Sequence, residues 1–119
     1  MGWLAVGALC CGLAIVAGAF GAHGLKAQLD RPSLELWETA ARYFMYGGLG
    51  LAILGLTSHA LSRPLMLAGF SLLLGSIVFS GTVCALALGG PRWLGAITPF
   101  GGGLMILGFV LLAVAAGRG

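Results

Sequence analysis

The sequence predicts an all-α integral membrane protein: an up-down bundle of four transmembrane helices in one membrane domain, with a short amphipathic interfacial helix between spans one and two. Three observations carry this. Of 119 residues, 60% are apolar and 8% charged, too few polar groups to clothe a soluble globule of this size. The six Lys and Arg and three Asp and Glu leave uncharged stretches at residues 1–25, 43–62, 64–91 and 93–117. Each holds the ~20 helical residues that cross roughly 30 Å of hydrocarbon. Finally, runs such as 49–56 and 104–114 are apolar on every side, whereas a strand of a membrane barrel alternates apolar and polar residues.

Span one is expected over residues 3–22, with Trp3 in the interfacial belt. Ala17 and Ala19 resemble a signal-cleavage pair, but Met-Gly-Trp supplies no basic n-region, so a retained span is expected. The polar connection that follows carries Lys26, Asp30, Arg31, Glu35, Glu38 and Arg42. Leu34, Trp37 and Ala41 recur there at helical spacing opposite Glu35, Glu38 and Arg42. Residues 33–42 therefore read as an amphipathic helix near the interface, separate from span two or running straight into it. Glu38 and Arg42 stand at i and i+4 in the favourable acid-first order.

Span two is expected over 43–61. Ser62 is expected to cap the next helix, with Pro64 in its first turn, giving span three over 64–88 as an antiparallel neighbour. Gly89-Gly90-Pro91 is a stop signal, and Arg92 and Trp93 mark the interface. Span four covers 94–116, and Thr98-Pro99 offers a second start or a kink within it. Lys26, Arg31, Arg42 and Arg92 on one face outnumber Arg63 and Arg118 on the other, which places both termini outside by the positive-inside rule.

Small residues recur at four-residue spacing, as in Ala14-Gly18-Ala22, Ser76-Ser80-Cys84 and Gly81-Ala85-Gly89, and 22 glycines in all point to close helix packing. Gly101-Gly102-Gly103 after Thr98-Pro99 could expose amide donors at a helix start, although close helix approach explains the glycines as well.

The chemistry-bearing residues that one membrane face should gather are His23, Glu38, Arg42, Tyr43, Ser80 and Thr98, with Gly81, Pro99, Gly101 and Gly102 beside them. A histidine near a carboxylate can act as a proton-coupled switch or simply bond a loop carbonyl. His23 and His59 fall at opposite ends of the spans, as do Cys10 and Cys84, so no metal site and no cofactor are expected. Adjacent Cys10 and Cys11 do not suggest a disulfide framework. No nucleophile elbow, paired intramembrane carboxylates or phosphate loop is present, so an enzyme is not expected. The +3 charge is too dispersed for nucleic acid.

Four groups of residues carry a resemblance. They are Gly18-Ala19-Phe20-Gly21-Ala22-His23-Gly24-Leu25; Trp37 with Thr39, Ala40 and Tyr43; Phe79-Ser80-Gly81 leading to Leu86-Ala87-Leu88; and Ile97-Thr98-Pro99 with Gly101-Gly102. In this order they resemble the bacterial domain-of-unknown-function family 423, whose eukaryotic relatives are called transmembrane protein 256. The resemblance implies a small four-span protein of the bacterial inner membrane, without an established reaction, substrate or cofactor. Where family members commonly carry a histidine after the tyrosine matching Tyr43, this chain has Gly47, which argues against a histidine-pair mechanism.

The expected function is non-enzymatic, acting through membrane lipids, a membrane-protein partner or a homo-oligomer in membrane integrity or assembly. The alternative is an oligomeric transporter or channel subunit for a small solute or ion. A weaker third reading is an enzyme acting on a lipid or quinone with His23 as base.

Overall fold

The computed structural model describes residues 2–118. They form α1 (Gly2–Phe20), a π-helical turn (Gly21–Leu25), α2 (Arg31–Leu61), α3 (Met66–Ala87) and α4 (Leu94–Arg118). With the π turn extending α1, all four helices are long and apolar enough to cross a membrane. Each packs chiefly on its neighbours in sequence, with α2 and α3 in the middle and α1 and α4 at the edges. The bundle is correspondingly flattened, 48 × 28 × 18 Å.

The amphipathic segment is the first third of α2, continuous with the second span. At ~1.5 Å per residue α2 runs ~46 Å, well beyond the ~30 Å of hydrocarbon, so its N-terminal turns stand in the headgroup layer. It begins two residues before the expected position. Asp30, in extended conformation, accepts a hydrogen bond from the Ser33 N–H (3.0 Å), and Pro32 occupies the first turn. That bond, through both the side chain and the amide of Ser33, holds the Asp30 carboxyl below the usual carboxylate range. Because the folded-state value is depressed, the cap's contribution is complete above the ordinary carboxylate pKa and is lost as pH falls through the lower folded value. Acidification into that window is expected to lower the protection factors of the Ser33 and Leu34 amides, each taken against the intrinsic exchange rate at the same pH, and Asp30→Asn should remove most of this pH dependence.

Ser62 does not cap the third helix. It terminates α2 in the left-handed region (φ 54°), donating its N–H to His59 O (3.2 Å), while Arg63 N–H bonds Ser58 O (3.0 Å). This is the bond pattern that usually recruits glycine. Pro64 disfavours helical geometry at Arg63, and Leu65 is also left-handed, so α3 starts only at Met66 and Pro64 lies outside its first turn. The end of α3 follows expectation: Gly89 (φ 93°) and Gly90 donate to Leu86 O and Ala85 O at 3.1 and 2.7 Å. Helix α4 starts at Leu94 and passes through Pro99, so Thr98 is an intrahelical residue rather than an N-cap.

Backbone-to-backbone contact holds the layers together. At Gly48 a Cβ would lie 2.9 Å from both Cys11 N and Gly7 O, which sets the approach of α1 and α2. At Gly75 it would lie 2.6 Å from Met105 N and 2.7 Å from Gly101 O, which does the same for α3 and α4. Leu51, Leu54, Leu72 and Ser76 are the largest fully buried side chains, all on the two central helices. In lipid such close contact, rather than expulsion of water, drives helix association. The stripes divide unevenly: Ala14, Ser76 and Ser80 are buried, but Gly18 and Gly81 have open space where a side chain would be.

Candidate functional site

The chemistry-bearing end is built by the last turns of α1 and α3 and the first turns of α2 and α4. Residues 21–25 close α1 as a π turn, in which i→i+5 bonding widens the helix, a feature frequent at functional positions. Trp37 of α2 docks against it. Its indole N–H donates to Ala17 O (2.8 Å), and its ring meets Phe20 edge-on at 6.2 Å. Gly21 makes room for the indole: a Cβ there would lie 2.5 Å from Trp37 Cδ1 and 2.9 Å from Nε1. Trp37 was legible only as part of a motif and an apolar stripe; its indole bond could not be read from spacing.

Two hydroxyl bonds tie this end across the layer. Ser80 Oγ, buried on α3, donates to Ala40 O of α2 (2.8 Å). Thr82 Oγ1 and Thr98 Oγ1 lie 2.6 Å apart between α3 and α4: one hydroxyl donates to the other, and the accepting one donates back to its own helix, to Val78 O from Thr82 or to Leu94 O from Thr98. Tyr43 lies on Phe79 with ring centroids 4.7 Å apart, and Gly101 packs directly against the Phe79 backbone. Gly102 touches the Phe79 ring at ordinary van der Waals distance. Ser80→Ala is expected to cost about 0.5–1.5 kcal/mol, the range found for interhelical hydrogen bonds in membranes, measured by reversible unfolding in mixed micelles; no change would mean that the Ala40 carbonyl finds another donor.

The charged and ionisable members are arranged differently. His23, Glu38, Arg42 and Pro99 are all exposed. The ion pair present at this end joins Arg31 to Glu35 (3.8 Å), both exposed, instead of Glu38 to Arg42. The end thus separates into a packed layer, Trp37, Ser80, Thr98 and Gly101, and a charged rim of His23, Glu38 and Arg42. Among the described residues, no three His, Cys, Asp or Glu side chains are grouped to hold a metal ion.

Between α1 and α3 lies an open groove of about 500 Å³. Trp3 bridges these helices near the start of α1, packing on Gly69 and meeting Phe70 edge-on at 5.1 Å. Toward the polar end α2 lies between them as a floor of Ala40, Ala41 and Phe44, with Leu13 and Phe20 on one wall and Ile77 on the other. The Ser80 hydroxyl reaches this floor but is already committed to Ala40 O.

The family model for "Protein of unknown function (DUF423)" matches residues 17–102. The chain belongs to the DUF423 family. Among its relatives are UPF0382 membrane proteins of Staphylococcus haemolyticus and Staphylococcus epidermidis, each 45% identical over 95% of this chain and 93% of the relative. A UPF0382 membrane protein of Staphylococcus aureus is 42% identical over the same shares. No solved structure matches. The DUF423 match runs from Ala17, the acceptor of the indole bond, to Gly102 on the Phe79 ring, so it contains the whole packed layer of the polar end. This DUF423 chain is a multi-pass membrane protein with four candidate spans.

Proposed function

We propose that this protein is a non-enzymatic component of the bacterial inner membrane that engages lipid chains and contributes to membrane integrity or assembly. The observation that carries the reading is the groove between α1 and α3: it is open, and its lining is hydrocarbon apart from the Ser80 hydroxyl, which is spent on a backbone carbonyl, and the weakly polar Cys84 thiol. A solute path or a reaction centre needs polar groups free to meet a substrate. Here the buried Ser76 and Ser80 hydroxyls are bonded to backbone carbonyls within the protein, which suits structural use of those groups. An acyl chain matches the groove in polarity and leaves no group unsatisfied.

Deleting the gene and measuring dye leakage, membrane potential and lipid composition tests the proposal. A change in at least one is expected, reversed by the native gene; three unchanged values would overturn it. Ion or solute flux above that of empty vesicles, after reconstitution, would replace it with a transport function.

A further inference from the structure

The end opposite the polar cluster has a different electrostatic character. All three acidic residues, Asp30, Glu35 and Glu38, belong to the α1–α2 connection and the first turns of α2. The other end carries Arg63 and Arg118, and both line one cavity of about 340 Å³ between the start of α3 and the end of α4. Below the arginines its walls are apolar, with Leu67 and Ala68 on α3 and Leu111 and Val114 on α4. Arg63 is held at its backbone on both sides, its N–H on Ser58 O and its carbonyl accepting from Ser58 Oγ. Arg118 lies in the last turn of α4. No acidic residue occupies the first turn of α3, and no side chain caps it, so nothing on that helix start offsets the two cations.

The geometry points to a binding site for an anionic phospholipid, the phosphate held between the guanidinium groups of Arg63 and Arg118 and one acyl chain lying along the α3–α4 wall. Guanidinium matches phosphate in charge and in its fork of donors, and basic pockets between membrane helices suit anionic headgroups. A net-neutral lipid would leave the second cation uncompensated, and free phosphate would leave the apolar wall unused. This inference rests on the lipid-engaging reading above and adds a lipid class and a second location to it.

The test is native mass spectrometry of the purified full chain offered equimolar phosphatidylglycerol and phosphatidylethanolamine. The native protein is expected to retain phosphatidylglycerol with about a tenfold preference, from two basic residues at the membrane surface. Arg63→Gln with Arg118→Gln should bring the ratio close to one, while Arg92→Gln at the opposite end should leave it unchanged. Each single variant at Arg63 or Arg118 should lower the preference about two- to fivefold, which keeps the test decisive if the double variant does not fold. Excess inorganic phosphate should not displace the lipid. Equal retention of both lipids, an unchanged ratio in the Arg63 and Arg118 variants, or displacement by phosphate would overturn the site while leaving lipid engagement intact. Retention of neither lipid would sink both.

Discussion

Gly101→Ala is expected to destabilise the bundle by about 3 kcal/mol, the upper part of the range for overpacking a close contact. A methyl group there would lie 2.5 Å from Phe79 N, 2.9 Å from Phe79 Cα and 3.0 Å from Gly75 O. All three are backbone atoms of α3, so relief requires moving one helix against the other instead of turning a side chain. The displacement would also pull Thr98 from Thr82 and loosen the polar end. Gly103→Ala is the control, because nothing lies within 4 Å of its added methyl. That variant should be neutral or gain up to about 1 kcal/mol from helix propensity. Unfolding by steric trapping or in mixed micelles gives both values; equal effects at the two positions would show that the α3–α4 approach is looser than described.

Trp37→Ala should have the next largest effect, about 2–3 kcal/mol, below the full cost of a core aromatic because the side chain is only half-buried. It removes the indole from Gly21, its bond to Ala17 O and its edge contact with Phe20 together. Trp37→Phe separates these contributions. It retains a ring but loses the donor, and about 1 kcal/mol is expected. Amide exchange at residues 21–25 reads the local consequence: the alanine variant should accelerate it strongly and the phenylalanine variant slightly. Unchanged exchange in Trp37→Ala would mean that the π turn stands without its aromatic support.

The spans were legible because charge is expensive in hydrocarbon, so Lys26, Arg63, Arg92 and Arg118 mark where helices leave it. Turn geometry was less so. Asp30 before Arg31-Pro32 is a readable helix start that the amphipathic pattern beginning at Ser33 overshadowed. Ser62 departs from expectation because serine by type favours helix starts, whereas a left-handed residue is needed here to end α2 ahead of Pro64. The π turn left no trace, since the segment 21–25 reads equally well as ordinary helix.

At the polar end, Ser80 and Thr98 were picked out by residue type, but their partners, the Ala40 carbonyl and Thr82, depend on helix register that spacing does not fix. Counting positive charges separated Arg63 and Arg118 from the rest. That they share a cavity is a property of the α3–α4 pairing, invisible to any local pattern.

The neighbour-by-neighbour packing has a consequence for biogenesis. Because α1 meets α2, α2 meets α3 and α3 meets α4, a nascent chain entering the bilayer from its N-terminus offers each new segment a docking surface already in place. The Gly7–Gly48 crossing can close while the second half is still on the ribosome, and the final hairpin then locks at Gly75 and Gly101 without rearranging what came before. Such a route involves little long-range search, so the chain can mature as it is synthesised, one hairpin after another.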